Sequence, residues 1–450
     1  MAEKRDFIII GCGIAGLYSA YKIRKNNPTA TVLVLEKNDL ERAGAIRHVG
    51  VGELPVVINS VVPVGSRRSL SGIGGRAGNV TFQGSTVVTG AGIGRKAKDT
   101  LLLHLMDELQ IQYNEFPVQP HYASTIQPEC NVKKTFNRLK KEYNKINDRN
   151  KTFDEYATAI LGKDGYKQFT TCSGYTDYEK EDAYGTLNQY GFDDNFAEWT
   201  GVSINWKKIV DELVKRIGVK NIHMRANVKQ ILQTPSPSGN ALRSTNDFIV
   251  SIENGESLSC KKVIIATTIS SVIKLLPGNK IYTQIHSQPF LRLYGKFAKS
   301  SIPIAKKYIP TSLIVPGPIQ KVIPMDPEKG IFMIAYSDNR GAEVLKKYTK
   351  NTPKNREILC RLLERSLGID NKSESLELNA ILDFYWEEGT HYYEPLSGEF
   401  GATRKEFIKN AQHPMPNMLV VGEMISTHQG WVEGALESVE NVVTNKWING

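Results

Sequence analysis

The chain has few cysteines, and they form no cluster. Five cysteines are spread over 450 residues, with no CxxC pair and no spacing typical of zinc ligands. Sparse, scattered cysteines are typical of proteins that fold without disulfide bonds in a reducing compartment. We therefore predict neither a disulfide bond nor a metal site. The cysteines are Cys12, Cys130, Cys172, Cys260 and Cys360.

Long apolar runs are also absent. No uninterrupted run approaches the roughly 20 residues of a membrane-spanning helix. The first strand-like run begins at Phe7, which leaves no room for a secretory signal. We therefore expect no membrane insertion and a cytoplasmic location.

Acidic residues are in the minority. The chain has 57 Lys and Arg against 47 Asp and Glu, which gives a net charge of +10. The basic residues are spread along the whole chain, with only short clusters such as Lys133–Lys134. Dispersed charge of this kind indicates a solvated basic surface, and no DNA- or RNA-binding motif is present. Nucleic acid is therefore not expected as a partner.

A strand, a tight turn and a helix are predicted at the start of the chain. Phe7 to Ile10 are apolar and mostly β-branched, and three glycines in GxGxxG spacing follow, before a helical apolar pattern. Glycine permits the turn, the approach of a pyrophosphate and close packing of helix on strand. Amides at the helix start, including those of Ile14 and Ala15, would meet the phosphates. The glycines are Gly11, Gly13 and Gly16.

An acidic residue ends the next predicted strand. Thr31 to Leu35 are strand-like, and Glu36 follows, twenty residues after Gly16. This spacing is typical of a carboxylate that binds a ribose hydroxyl in a dinucleotide fold. A carboxylate would repel a 2′-phosphate, which favours FAD or NAD over NADP.

The end of the chain has a related pattern. A strand over Met418–Val421 is followed by Gly422 and Glu423, a loop, and a helix from about Val432. Between the ends, helices are predicted over residues 101–109, 133–146, 153–161, 206–217 and 351–367. Strands are predicted over 221–231, 247–252, 263–266, 289–299, 331–336 and 378–386. Both ends of the chain therefore look like parts of one dinucleotide fold.

The order of these motifs resembles the FAD-dependent amine oxidase family, which includes monoamine, polyamine and L-amino-acid oxidases. The matching pieces are IIIGCGIAGLYSAYKI with Glu36, GGRAGNVTFQGSTVVTGAG, VIIATT and NMLVVGEMISTHQGWVEGALESVENVV. The resemblance implies an α/β fold, with a discontinuous Rossmann-like FAD-binding domain and a second α+β substrate domain. FAD binding is expected in residues 1–100, 201–275 and 396–450, and the substrate domain in 101–200 and 276–395.

The resemblance also implies roles for individual residues. Lys296 would hold a water against the flavin, and Trp431 would be an aromatic wall beside it. The FAD-binding set is Gly11, Gly13, Ile14, Ala15, Gly16, Glu36, Gly75, Arg76, Val228, Gly422, Glu423, Trp431, Val432 and Ala435. Arg292 is a candidate clamp for a substrate carboxylate.

Two features depart from the family pattern. The GGR that includes Gly75 and Arg76 begins 38 residues after Glu36, whereas the family has it a few residues later. We interpret residues 43–73 as an insertion. No cysteine precedes the terminal motif where some relatives attach flavin, so we expect FAD to be held noncovalently.

The expected reaction is hydride removal from the carbon of a C–N bond in an amine or amino acid. Dioxygen would reoxidise the flavin, and the products would be an imine and hydrogen peroxide. A related desaturase or protoporphyrinogen-type oxidase, or a flavin-bound module without turnover, remains open. The sequence decides neither between amine and amino acid nor between monomer and homodimer.

Overall fold

A computed structural model describes residues 4–38, 72–234, 247–370 and 373–450. The predicted insertion over residues 43–73 lies, apart from Gly72 and Ile73, outside the described residues. No helix of the described segments is long and apolar enough to cross a membrane.

The strands in chain order are β1 (Arg5–Ile10), β2 (Val32–Leu35), β3 (Asn79–Phe82), β4 (Ser85–Val88), β5 (Ile93–Arg95), β6 (Asn114–Val118), β7 (Trp199–Ser203), β8 (Ile222–His223), β9 (Val228–Gln233), β10 (Phe248–Ile252), β11 (Ser257–Ile265), β12 (Ile285–Phe297), β13 (Leu313–Ile314), β14 (Lys321–Asp326), β15 (Ile331–Asp338), β16 (Leu378–Tyr393) and β17 (Met418–Val420).

The α-helices are α1 (Ile14–Asn26), α2 (Thr100–Glu108), α3 (Val132–Glu142), α4 (Phe153–Ser173), α5 (Ala183–Asn188), α6 (Trp206–Ile217), α7 (Ile269–Leu275), α8 (Ile302–Tyr308), α9 (Asn339–Lys346), α10 (Pro353–Leu367), α11 (Arg404–Gln412), α12 (Val432–Val442) and α13 (Asn445–Asn449).

The largest sheet has the order β8-β2-β1-β11-β10-β9, and β17 pairs with the end of β11. Strands β8, β2, β1, β11 and β17 run parallel, whereas β9, β10 and β11 form an antiparallel meander. Alternate residues of β1 enter two cores, because side chains of a strand point to opposite faces. Phe7 and Ile9 pack with α1, α6 and α12, while Ile8 and Ile10 pack with α7 and α11.

The predicted discontinuous Rossmann-like domain is confirmed by this sheet. Its parallel strands come from the start, the middle and the end of the chain, and β1 of the first segment pairs with β11 of the second. β17 then adds the third segment beside β11. The five domain boundaries given above remain predictions.

A second sheet lies at the centre of the other part of the described chain. It is antiparallel, with the order β13-β14-β15-β12-β16, and its two long strands are β12 and β16. Helices α8, α9 and α10 cover one face of it. Helices α3, α4 and α5 form a separate aromatic core that includes Phe153, Tyr178 and Phe192. These parts form the predicted second α+β domain.

Two helix boundaries differ from the sequence predictions. α3 ends at Glu142, four residues before the predicted end, and α4 continues to Ser173 rather than Leu161. The predicted end of α4 coincides with Gly162, where the backbone departs from helical geometry at φ 71° before the helix resumes. The sequence signal at this glycine therefore marks a kink rather than an end.

The prediction of no disulfide bond was wrong. Cys130 and Cys172 form a disulfide with an S–S distance of 2.07 Å and a Cα–Cα distance of 5.6 Å. The two residues are 42 positions apart. The long helix α4 brings its C-terminal end back beside the segment before α3, and sequence spacing alone does not reveal that contact.

We expect loss of this disulfide to destabilise the α3–α5 unit by roughly 2–4 kcal/mol, because the bond closes a long loop in the unfolded chain. Thermal unfolding of the wild type with and without reductant would be compared with the C130A/C172A variant. Reductant should lower the melting temperature of the wild type and leave that of the variant unchanged. Equal sensitivity of both proteins would contradict the assignment.

Candidate functional site

A large cavity with a volume of about 2120 Å³ is lined by residues of both sheets. Ligand pockets for drug-sized molecules are usually about 300–1,000 Å³, so this one has room for a dinucleotide and a substrate together. Of the expected site residues, those that line it are Gly11, Gly13, Ile14, Ala15, Glu36, Gly75, Arg76, Val228, Gly422, Glu423, Trp431, Val432 and Ala435. Gly16 and Lys296 do not line it.

The three N-terminal glycines have different surroundings. A Cβ on Gly11 would lie 2.5 Å from the Ala266 carbonyl oxygen, and a Cβ on Gly16 would lie 2.0 Å from that of Gly11. A Cβ on Gly13 would meet no atom within 4 Å and would stand in the cavity. Gly11 and Gly16 are therefore required by packing, whereas Gly13 keeps space for a ligand.

Two helices begin at the cavity wall. α1 begins after Gly13 and α12 begins after Trp431, and neither start is capped by a side chain. Unpaired amides and the positive end of the helix dipole favour an anion or a developing negative charge at such a position. The cavity therefore offers two electropositive helix starts, one from near the beginning of the chain and one from near its end.

Glu36 lies at the end of β2 and is 7 % exposed. Its carboxylate accepts hydrogen bonds from the Cys12 amide at 3.1 Å and from the Asn38 amide and side chain at 3.0 and 2.7 Å. Burial raises the pKa of Glu36, and these hydrogen bonds counteract the rise. The Glu36 carbonyl accepts from Ala226, which brings the segment before Val228 to the same end of the cavity.

Glu423 joins three separate segments of the chain. It accepts from Arg76 Nη1 at 2.6 Å and the Gly430 amide at 2.9 Å, and His391 Nδ1 lies 2.5 Å away. Burial alone would raise the pKa of Glu423, but the charges of His391 and Arg76 hold it well below its ordinary value. His391 was missed by the sequence analysis, and no local pattern around it marks this role.

Trp431 is held from outside the cavity by a buried cation. The Arg95 guanidinium lies 3.8 Å from the centre of the indole ring, and Arg95 itself does not line the cavity. Arg95 is paired with Asp99 at 2.6 Å and with Asp194 at 3.2 Å. This cation–π contact fixes the plane of the ring that faces the cavity.

Lys296 does not occupy the position expected from the sequence. It lies near the end of β12, where its ammonium donates to the Lys329 carbonyl. Of the residues of β12, Phe290 and Arg292 line the cavity, and Arg292 lies four positions before Lys296, about 13 Å along the strand. Arg292 is buried and donates through Nε to the Gly90 carbonyl at 2.6 Å. Of these two cations, the structure brings Arg292 to the cavity and leaves Lys296 outside its lining.

One part of the cavity is lined by ionisable side chains, and we call it the inner chamber. It comprises Tyr175, Asp177, Arg292, Lys321, Tyr336 and Asp338.

Three strands carry most of the inner chamber. Lys321 of β14 and Arg292 of β12 both pair with Tyr336, which lies between them on β15. The Arg292 guanidinium lies 4.4 Å from the centre of the Tyr336 ring. The Lys321 ammonium lies 3.9 Å from the centre of the Tyr175 ring. Aromatic faces therefore stabilise both cations in a buried place.

The acidic residues of the inner chamber differ in their hydrogen bonds. Asp338 accepts from the Thr176 amide and from Gln320 Nε2 at 2.8 Å. Asp177 accepts from the Tyr190 hydroxyl at 2.6 Å through Oδ1. Burial, together with the charge of Asp338, raises the pKa of Asp177. Burial also lowers the pKa of Lys321 to about 8.

Comparisons with known proteins identify the fold of the chain. No protein-family model and no curated protein matches the chain. Among solved structures, the cyclohexylamine oxidase of Brevibacterium oxydans IH-35A matches with a TM-score of 0.70 at 14% identity, covering 99% of both chains. Putrescine oxidase bound to putrescine matches with a TM-score of 0.68 at 14% identity, covering 98% of both. The chain has the amine oxidase fold. At this identity the likeness establishes the fold of the chain, and its chemistry depends on the residues described above.

Because burial disfavours its charged form, Lys321 should lower the free energy of unfolding at neutral pH. Because the pKa of Lys321 is lower in the folded than in the unfolded chain, the stability that it contributes is complete above pH 10.5 and is lost as the pH falls through about 8. Lys321→Met should therefore raise the melting temperature at pH 7 by roughly 2 °C or more. The gain should shrink as the pH rises from 8 towards 10.5.

Thermal unfolding across this pH range would test the prediction, with Lys220→Met as the control. Lys220 is exposed and lies outside the cavity, so its variant should follow the wild type at every pH. A Lys321→Met protein that is less stable than the wild type at pH 7 would contradict it.

Proposed function

We propose that the chain binds FAD noncovalently and oxidises the C–N bond of a small amine or amino acid. The observation that carries the proposal is the single cavity that receives the starts of both α1 and α12. Its lining includes the buried Glu36, Trp431 and the residues of the inner chamber. Few ligands other than an extended dinucleotide would use both helix starts at once.

The residues present fit FAD along its length. Gly13 leaves the space for a pyrophosphate at the start of α1, and Glu36 is placed to accept from the adenosine ribose. Val228 would meet the adenine through its backbone. Arg76 and Glu423 form the middle of the cavity wall, and Arg76 retains donors beyond its bonds to Glu423 and Gly389.

The flavin end is assigned to the start of α12. The amides from Val432 to Ala435 would stabilise negative charge that a reduced flavin gathers on its pyrimidine ring. When bound, FAD would supply the hydride acceptor and would pass the electrons to dioxygen, which gives hydrogen peroxide. Trp431 would orient the amine and exclude water, and its ring is already fixed by Arg95.

The ionisable residues of the inner chamber favour a polar substrate over the alternatives. An apolar substrate of a desaturase would desolvate Lys321 and Asp177 and leave the Lys321 ammonium without an acceptor. A module without turnover would need no buried charges beside Trp431. An amine or amino acid supplies hydrogen-bonding groups for these side chains.

The first experiment is the visible spectrum of the purified protein, followed by anaerobic addition of aliphatic amines, aryl amines, polyamines and amino acids. We expect a flavin spectrum, bleaching by at least one class, and peroxide on readmission of air. A protein that stays colourless after incubation with FAD would overturn the proposal. Bound FAD that no amine or amino acid bleaches would favour the module without turnover.

Gly13→Ala should abolish FAD binding without harming the fold. The new methyl group meets no protein atom within 4 Å and enters the expected pyrophosphate space. We expect a melting temperature of the FAD-free protein within about 2 °C of the wild type, because the backbone of Gly13 (φ −75°) suits alanine. Bound FAD would be measured by absorbance after gel filtration.

Two further glycine substitutions serve as controls for this variant. Gly16→Ala forces a methyl group against the Gly11 carbonyl, so it should lose stability as well as FAD. Gly165→Ala lies in α4, outside the cavity, and should keep FAD. Full FAD occupancy in Gly13→Ala would refute the placement of the pyrophosphate.

A further inference from the structure

The inner chamber contains a cation with unused donors. The Lys321 ammonium lies against the Tyr175 ring, and no residue in the described ranges accepts a hydrogen bond from it. An ammonium has three donors, and a ring face satisfies none of them as an oxygen acceptor would. Because Lys321 lines the cavity, a bound ligand can supply that acceptor. A ligand with an anionic or strongly accepting group would therefore satisfy the donors of Lys321.

Of the two acidic residues of the chamber, Asp177 is the one that can accept from a ligand. Asp338 is satisfied by Thr176 and Gln320, whereas the only described side chain that donates to Asp177 is Tyr190, on Oδ1. Asp177 lines the cavity and thus keeps acceptor capacity for a ligand, since a carboxylate can accept more bonds than it receives here. A ligand that enters the chamber meets one ammonium donor and one carboxylate acceptor.

The chamber is connected to the part of the cavity that Trp431 lines. Gln288 Nε2 donates to the Asp177 carbonyl at 2.6 Å and to Thr390 Oγ1 at 3.1 Å. Thr390 in turn lies beside Gly430, where an added Cβ would be 3.5 Å from its methyl group. Gln288 and Thr390 therefore link the backbone of Asp177 to the turn before Trp431, and Trp431 and the inner chamber line the same cavity.

The ionisable groups of the chamber favour one of two kinds of amine substrate, those with a second ammonium or those with a carboxylate. Arg292 and Lys321 are both cationic, and each lies close to Tyr336. Asp177 and Asp338 face the same space, so a second ammonium on the substrate, as in a diamine, could be accepted by a carboxylate but would leave the donors of Lys321 without an acceptor. A carboxylate on the substrate would be attracted and would use the free donors of Lys321.

From this arrangement, and resting on the proposed amine oxidation, we infer that the substrate carries a carboxylate as well as the amine. Lys321 donates to that carboxylate, and Asp177 accepts from the ammonium of the arriving substrate. Lys321 is thus a residue that determines specificity. It has no part in moving electrons, so its loss should weaken binding more than turnover.

The test uses pairs of compounds that differ only in the carboxylate. These are norleucine and pentylamine, phenylalanine and phenethylamine, and lysine and cadaverine. With the FAD-loaded wild type, kcat/KM should be higher for the amino acid in at least one pair, and cadaverine should be the poorer member of the third. Lys321→Met should lower kcat/KM for the preferred amino acid roughly 10- to 100-fold, mainly through KM, because a charge-assisted hydrogen bond is lost.

The other measurements separate binding from structure. Lys321→Met should change kcat/KM for the plain amines by less than about threefold, and Lys321→Arg should recover part of the loss. Lys220→Met should behave as the wild type. Calorimetry with hexanoate, which cannot be oxidised, should show binding to the FAD-loaded wild type and at least tenfold weaker binding to Lys321→Met.

Three results would overturn the inference. These are a preference for the plain amine in every pair, an equal loss for amines and amino acids in Lys321→Met, or equal hexanoate binding by both proteins. The proposed function fails separately, if no member of the wider panel of amines and amino acids bleaches the flavin, and the hexanoate titration then decides the role of Lys321.

Discussion

The structure depends on a backbone contact that leaves no room for side chains. β1, the turn after it and the start of α1 pack so closely that Gly11 faces the Ala266 carbonyl and Gly16 faces Gly11. This contact sets the depth at which α1 lies on the sheet, and it places the amides after Gly13 on the cavity. Since Ala266 follows β11, the contact also fixes the second segment of the chain against the first.

The elements that the sequence predicted well are those with strong local signals. The GxGxxG turn, Glu36 and the start of α12 carry their information within a few residues, so their places on one cavity could be foreseen. Lys296 lies outside the cavity lining whereas Arg292 of the same strand is part of it, and a lone basic residue on a strand gives no sign of which end reaches a site. The sequence predicts the strand, but the register of β12 against β15 and β16 determines which of its side chains reach the cavity.

The contacts that the sequence could not show are between distant segments. Arg95 meets Trp431 and His391 meets Glu423 only because β5 and β16 are brought to the cavity by the folded sheets. The Cys130–Cys172 bond has the same origin, since it depends on how α4 returns towards α3. Likewise, Lys321, Tyr336 and Arg292 form one row only when β14, β15 and β12 are paired in register.

The division of the nucleotide-binding sheet among three segments has a consequence for synthesis. β1, α1 and Glu36 leave the ribosome first, yet β17, Glu423 and the start of α12 follow only after nearly 400 further residues. At about 5–20 residues per second, the early half of the site waits roughly 20 to 80 s for its partner strand and helix. The edge of β11 that pairs with β17 stays unpaired until the end of the chain is made, and an unpaired strand edge favours wrong pairing with other chains.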